Sequence, residues 1–505
     1  MTTISQIEVA TAIIPLPAPI GLSSRTVPRR EYTLVRVTGD DGVTGIGFCY
    51  PGHRAASLAT IAVTDLLGPA LIGHDAHHTE GAWKVMYQEG LLHGRTGSVM
   101  RALSAIDIAL WDRNARAANL PLHKYLGGHS DRVRAYASGG YYLEGKGVHG
   151  VHDEMSSYLD LGFSAVKMKV GRVSASEDAD RIAAARDAIG PDVLLMLDAN
   201  NAWNDLPTAL RALNLWEKYD PYFIEEPFSS DDIINHARLA RSTPIQVATG
   251  EIEAGKWRVK ELLDAEAAII LQSDSAVCGG VTELRHIANI ADAYGVTLAP
   301  HWFHDLHAPL AGAFTNATFV EYFVGHDVFN FGKLIDRQLK LDGGDILLHS
   351  GPGLGFDFNE DSLAQYLSGP WQVVRQGTAK SHALSAAGRH LCRQSAQEVQ
   401  VSARGGLHDR RGMEPAPSAF GQLWELEGGP SRFQFTLVNQ QINGSIRHVE
   451  TDPVAVPNQR ERPTDRSLWG AVEHDRAVSG TTHPPVGHAN HVPHTLASQV
   501  FRDRD

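Results

Sequence analysis

The sequence predicts an α/β protein: a closed parallel barrel of the TIM type, (β/α)7β, under an α+β capping domain that the N-terminal region forms with a C-terminal return segment. Three observations predict it. Eight strand-length apolar runs alternate with helical segments over roughly two hundred residues. Three of these runs end on a carboxylate, at Asp198, Glu225 and Glu251. The alternation is confined to the middle of the chain, with hairpin chemistry before it and short strand-and-turn patterns after it. An open doubly wound sheet is the competing arrangement, and the lack of a glycine-rich phosphate fingerprint after an early strand disfavours it.

In chain order, residues 1–130 read as the cap. Ile4–Ile14 and Tyr32–Tyr50 have strand character, and Gly39-Asp40-Asp41-Gly42 supplies a hairpin turn within the second run. Pro15–Arg30, rich in Pro, Ser and Arg, reads as a loop between them. Three helical patterns follow; the last, Ser98–Ala118, puts Ala102, Ala105, Ile106, Ala109 and Leu110 on one face. Nothing in this region suggests chemistry of its own. Residues 131–325 read as the barrel, with strands at Ala135–Tyr142, Ala165–Val170, Val193–Asp198, Tyr222–Glu226, Ile245–Glu251, Ala268–Asp274, Val296–His301 and Phe319–Phe323. Between them, Ile182, Ala185 and Ile189 share a helical face that Gly190-Pro191 terminates. Residues 326–374 return to short strands and are expected to pack on the cap. Residues 375–505 are rich in Arg, His, Ser, Gln and Pro without sustained apolar periodicity; they read as a low-order tail with at most a short strand at Phe433–Val438 and no metal-ligand spacing among the histidines.

Composition narrows the function classes. The chain has 505 residues, enough for two or more domains, with a hydrophobic content of 43%. A net charge of −13 argues against a nucleic-acid partner. Cys49, Cys278 and Cys392 are too few and scattered for a disulfide framework or thiolate metal site. No apolar run approaches a membrane span, and the N-terminus lacks a basic region followed by an apolar core, so the expected compartment is the cytoplasm.

The candidate chemistry lies at the strand ends. In a parallel barrel Asp198, Glu225 and Glu251 share the carboxyl-end rim, where three carboxylates cannot all stay ionised without a cation; hard oxygen donors suit Mg²⁺. Lys167 and Lys169 are two apart and point to one face, where each would depress the other's pKa and make one a general base; on their own they serve equally well to neutralise the acids. Asp274 and His301 end successive runs, as a carboxylate that fixes the tautomer of an imidazole general acid or base; a buried, satisfied histidine is the plainer alternative. His304 and His307 are read as bystanders. Glu321, inside the eighth run, would hydrogen-bond an enolate oxygen if protonated, or form an ordinary barrel ion pair. Asn200 could orient a ligand, and Glu226 points away from Glu225 by alternation.

Lys167-x-Lys169, Asp198-x-Asn200, Glu225-Glu226-Pro227, Gly250-Glu251, the Asp274/His301 pair and Glu321 together resemble the motif set of the enolase superfamily, mandelate racemase subgroup (mandelate racemase/muconate lactonizing enzyme-like). Ala105-Ile106-Asp107-Ile108-Ala109-Leu110-Trp111-Asp112 is similar to a helix that precedes the barrel in that family. The resemblance spans about residues 4–370. It implies that Asp198, Glu225 and Glu251 bind Mg²⁺, that Lys169 and His301 (backed by Asp274) are the two bases, that Lys167 and Ser138 hold a substrate carboxylate, and that Glu321 stabilises the enolate. It also implies a homo-oligomer and a small-molecule carboxylate substrate. The sixth run reads Leu271-Gln272-Ser273-Asp274, without the lysine that would mark the muconate-lactonizing branch. Two loops matching the family's barrel covers carry Ser23, Ser24, Arg25, Arg29 and Arg30, then Tyr50, His53 and Arg54. Arg25 and His53 are the substrate-binding candidates. A polar, basic lining suits acid sugars better than a phenyl ring, because unpaired buried polar groups cost energy. The expectation is therefore an acid-sugar dehydratase yielding a 2-keto-3-deoxy acid. A racemase or epimerase of 2-hydroxy acids, and a catalytically silent sugar-acid-binding protein, are the alternatives.

Overall fold

The computed structural model describes residues 1–376 together with 423–427, 434–440 and 446–447. The chain divides into two units, Met1–Arg389 and His390–Asp505. In the second, strands at Leu423–Glu427, Gln434–Gln440 and Ile446–Arg447 form an antiparallel three-stranded sheet. The central one overlaps the strand anticipated near Phe433; most of the expected low-order tail lies outside the described residues.

The first unit opens with β1 (Ile4–Gly21), β2 (Thr26–Gly39) and β3 (Thr44–Gly52), an antiparallel meander turned at Asp40–Val43. The loop expected at Pro15–Arg30 is mostly strand. Its prolines sit where they cost little: Pro15, Pro17 and Pro19 are exposed, Leu16 and Ile20 are buried, and the register breaks between Pro15↔Arg29 and Ile20↔Val27. Only residues 22–25 remain as the connecting loop. The helix Gly97–Ala117 packs on this sheet and buries most of its length because it also faces the barrel.

The barrel strands are β4 (Arg132–Gly139), β5 (Ala165–Lys169), β6 (Leu194–Asp198), β7 (Pro221–Glu225), β8 (Gln246–Thr249), β9 (Ile270–Leu271), β10 (Thr297–Leu298) and β11 (Val320–Tyr322). Neighbours from β4 to β10 pair in parallel, and β11 pairs in parallel with β4. The amide of Leu298 donates to the Asn316 carbonyl and that of Thr318 to the Leu298 carbonyl, closing the ring. Several predicted runs are shortened, so that Glu251, Asp274 and His301 follow their strands instead of ending them. Beyond the barrel, the hairpin of β12 (Lys340–Asp342) and β13 (Asp345–Leu347) adds to the outer end of β4, while β14 (Gln372–Arg375) pairs with β1. That hairpin departs from the expected packing on the cap, whereas Phe331 and Phe356 of the return segment pack on Phe48 of β3.

One apolar layer explains the position of the site. Tyr136, Ala165, Met196, Phe223, Ala248, Ile270, Ala299 and Phe319, one from each strand or its extension, plug the barrel interior. Side chains two residues further on share that interior face. On seven of the eight strands these are Ser138, Lys167, Asp198, Glu225, Gln272, His301 and Glu321.

Candidate active site

On the remaining strand, β8, the corresponding position is Gly250, and alternation alone would turn Glu251 outwards. Gly250 has φ +117°, a backbone state that L side chains rarely adopt, and it re-aims Glu251 into the cluster. Glu226 (φ 39°), Asn200 (φ 43°) and Trp302 (φ 76°) are likewise left-handed one, two and four residues beyond the ends of β7, β6 and β10. Such strain concentrates where side chains must converge.

One oxygen from each of Asp198, Glu225 and Glu251 lies within 4.8 Å of the others, and all three residues are buried. Lys167 Nζ is 2.6 Å from Glu225 Oε2, 2.8 Å from Glu321 Oε1 and 3.6 Å from Asp198 Oδ2. Lys169 pairs with Asp198 and lies under the Tyr141 ring, 5.1 Å from its centroid. His301 Nε2 is 3.3 Å from Glu251 Oε2, and its Nδ1 is 3.3 Å from Asp274 Oδ2. Asp274 Oδ1 is in turn 3.3 Å from His307 Nε2, so His307 is a second imidazole on the same carboxylate and no bystander.

Electrostatics corrects the expected protonation states. Burial alone would lower the pKa of Lys169, but the Asp198 carboxylate outweighs it and the ammonium is held well above its ordinary value. For Lys167 burial is likewise overcome, by Glu225 and Glu321. The depression expected from the neighbouring lysine is therefore outweighed: Lys167 does lower Lys169, but the Asp198 carboxylate raises it more. Glu321 is the second correction. Burial would raise its pKa, but Lys167 and His301 pull it well below the usual range. Glu321 accepts the Trp302 amide at 2.8 Å and pairs with Lys167, so it ties Lys167 to the backbone that follows β10. Burial would also raise Asp274, and hydrogen bonds from His301 and His307 hold it low. His301 is raised, since Glu251 and Asp274 overcome its desolvation.

The carboxylates still outnumber their cations. Burial, together with Asp198, pushes Glu225 well above its ordinary value against the pull of Lys167. Glu226 is raised by burial and by Glu251, Asp198 and Glu225, so its carboxyl senses the same cluster that alternation would have it avoid. Glu225 Oε1 and Glu251 Oε2 are buried without a hydrogen-bond partner. Surplus negative charge, orphaned oxygens and an all-oxygen donor set fit a hard divalent cation.

A cavity of about 210 Å³ opens onto this cluster. Lys169, Asn200, Glu251, Asp274 and His301 line it from the barrel, and Arg25, Arg30, Tyr50 and His53 from the cap. Arg25 and His53, the two loop candidates, are both among its lining residues. Burial lowers the pKa of His53, and Arg54 and Arg25 lower it further. Leu22, Val27, Ile252, Val277 and Trp302 make the lining more apolar than the loop sequences suggested. Ser138 and Lys167 are buried and are not among the residues that line the cavity; Ser138 pairs in register with Lys167, and its Oγ has no partner. Arg29 turns away to Glu31, at 2.6 Å.

Arg101 and Gln272 are among the lining or interior residues that the sequence does not single out. Arg101 comes from the cap helix Gly97–Ala117, four residues before Ala105, and lines the cavity. Gln272 is fully buried with both side-chain polar atoms unpartnered. Its spacing of two residues from both Ile270 and Asp274 was the available signal.

The family models for the mandelate racemase/muconate lactonizing enzyme N-terminal domain and the enolase C-terminal domain-like fold match residues 5–127 and 150–362. L-talarate/galactarate dehydratase of Salmonella typhimurium (strain LT2) is 31% identical over 369 residues, 71% of this chain and 90% of that one. The chain belongs to the mandelate racemase/muconate lactonizing enzyme family of the enolase superfamily. Arabinonate dehydratase of Saccharolobus solfataricus is another such relative, 30% identical over 343 residues, 66% of this chain and 90% of that protein. Among solved structures, L-talarate dehydratase from Polaromonas sp. JS666, complexed with Mg and L-glucarate, superposes with a TM-score of 0.67 at 29% identity, covering 74% of this chain and 99% of its own. The relatives in this family include both acid-sugar dehydratases and cycloisomerases, among the latter D-galactarolactone cycloisomerase of Agrobacterium fabrum, 34% identical over 371 residues. No helix among the described residues is long and apolar enough to cross a membrane.

Proposed function

We propose that the protein is a Mg²⁺-dependent acid-sugar dehydratase that removes the proton α to a carboxylate and expels the β-hydroxyl, giving a 2-keto-3-deoxy acid. The observation that carries this reading is the placement of Lys169 and His301. They approach the carboxylate cluster from different strands, Lys169 against Asp198 and His301 against Glu251, at the floor of one cavity. A proton α to a carboxylate is a very weak acid, so its removal needs positive charge and donors already in place. Asp198, Glu225 and Glu251 would hold Mg²⁺, which would supply that positive charge.

The chain's own residues do the rest. Lys169 and His301 divide the proton work: one takes the α-proton and the other delivers a proton to the departing hydroxyl. Asp274 holds Nδ1 of His301, leaving Nε2 beside Glu251 at 3.3 Å. Lys167 and Glu321 form the buried ion pair on which Glu225 and the Trp302 backbone rest. Asn200 lines the cavity with its Oδ1 unpartnered, ready to accept from a sugar hydroxyl.

Proton NMR in D₂O tests the proposal. The full chain with Mg²⁺ is incubated with pools of aldonic acids, aldaric acids and mandelate. Loss of an α-proton signal with new C3 methylene resonances is expected. Exchange at the α-carbon without elimination would replace the dehydratase with a racemase or epimerase. Silence in every pool, with Mg²⁺ bound, would leave only a binding role for these acids.

A further inference from the structure

The cavity has two poles of opposite charge. One is the carboxylate cluster with Lys169 and His301. The other is formed by Arg25, Arg30 and Arg101. A chain of contacts links them: His301 stacks on Trp302 with centroids 5.7 Å apart, and the Arg30 guanidinium lies 4.5 Å from the Trp302 ring centroid. Arg30 NH1 donates to the Tyr50 hydroxyl at 2.8 Å, and Arg101 NH1 donates to the Tyr50 carbonyl at 2.8 Å.

None of these three arginines forms an ion pair among the described residues, with Glu251 and Asp274 of the same cavity or with any other acid, whereas neighbouring Arg29 does. Arg30 is only 4% exposed. Its partners are the Val328 carbonyl at 3.2 Å, the Tyr50 hydroxyl and two aromatic faces, all neutral. A buried guanidinium with no counter-charge is costly unless something else brings the charge. Arginine also presents a planar fork of donors that matches a carboxylate two-to-two.

We propose that the substrate is a dicarboxylic acid sugar, an aldaric acid, whose second carboxylate is bound by Arg30 and Arg101 while its first lies at the metal-binding carboxylates. This rests on the acid-sugar reading and narrows it. Family membership does not make the choice, since one relative is named for arabinonate, a monoacid, and another for talarate and galactarate, which are diacids. An aldonic acid ends in a neutral hydroxymethyl group and leaves both guanidiniums without a counter-charge. An aldaric acid of the same configuration differs only there, and supplies it.

The test uses pairs of hexaric and hexonic acids matched at every hydroxyl, such as galactarate with galactonate, on the full Mg²⁺-loaded chain. Both turnover and calorimetric affinity are measured. The best aldarate should exceed its matched aldonate in kcat/KM by about 100-fold, because a site built for a polar group rejects the analogue that lacks it. In Arg101→Met that ratio should fall by about tenfold or more, the scale of one charge-assisted hydrogen bond, and Arg101→Lys should recover part of it. A merely structural role for Arg101 would lower both members of a pair together and leave the ratio intact, which overturns the proposal. Turnover of aldonates as fast as aldarates also overturns it, while leaving the dehydratase reading standing. If no acid sugar is turned over but aldarates bind selectively and Arg101→Met abolishes the selectivity, the diacid subsite stands and the dehydratase reading falls. Absence of both turnover and selective binding overturns both.

Discussion

Lys169 and His301 each lean on a carboxylate of the proposed metal cluster, which makes them separable by experiment. In the proposed reaction one base forms the enediolate and the other only completes elimination. Lys169→Met and His301→Asn should each lower dehydration by about 10²–10⁴-fold. The variant that retains the proton-abstracting base should still wash deuterium into the α-position, and the other should not. Full dehydration by both variants would dismiss the pair as the catalytic groups. At the same scale, Gly280 cannot accept a side chain: a Cβ there would lie 2.3 Å from Asp107 Oδ2. Its φ of +84° adds strain. Gly280→Ala should therefore cost a few kcal/mol, read as a lowered denaturation midpoint; an unchanged midpoint would show that the Asp107 contact yields freely.

Among the elements, the loop 22–25 depends on others for its position. Arg172 NH1 donates to the Leu22 carbonyl at 2.6 Å and to the Arg25 carbonyl at 3.3 Å, and Ser23 Oγ donates to the Asn200 carbonyl at 2.8 Å. Arg172 follows β5, and Asn200 follows β6, so the barrel rim itself holds the cover that carries Arg25. Removing the guanidinium deletes one or two hydrogen bonds, each worth roughly 1 kcal/mol. In Arg172→Ala, trypsin should cut after Arg25 roughly tenfold faster and KM should rise with little change in kcat. Equal cleavage rates would show that Ser23 and the β1–β2 pairing suffice.

Across the whole first unit, Asp107 couples cap to barrel. Both its oxygens accept from Thr282, from the amide at 2.9 Å and the hydroxyl at 2.6 Å, and Trp111 Nε1 donates to the same hydroxyl oxygen at 2.8 Å. Burial pushes the Asp107 carboxyl up to about 7. The folded state thus holds a proton that the unfolded chain releases near pH 4, so the contribution is full below that pH and is lost as pH rises through 7, by roughly 4 kcal/mol. Thermal unfolding of Asp107→Asn should change less between pH 4 and 7 than that of the parent; parallel curves would exclude Asp107 as the titrating group. Truncation offers a second test at this scale. A chain ending at Arg389 keeps β14, whose Val373 and Val374 pair with Glu8 and Ile7, and should retain Mg²⁺ binding and turnover. A chain ending at Pro370 loses that strand and should unfold at a lower temperature; equal midpoints would show β14 to be dispensable.

Hydrophobic period and strand-end chemistry are local properties, and the sequence by itself determined what depends on them. Apolar runs of strand length, separated by helical faces such as Ile182, Ala185 and Ile189, predicted the barrel. The acids and bases two residues beyond its apolar plug predicted most of the site. Three things were decided only in the folded chain. Alternation placed Glu226 outside the cluster and could not explain Glu251, because left-handed residues after the strands reset the side-chain direction. Spacing suggested a depressed lysine pair and a protonated Glu321, whereas their charges depend on which carboxylates come within ion-pair distance across strands. Arg101 and the buried Arg30 became a feature of the cavity only when the cap closed over the barrel. Charge state and pocket shape are sums over groups distant in sequence, so no local window contains them.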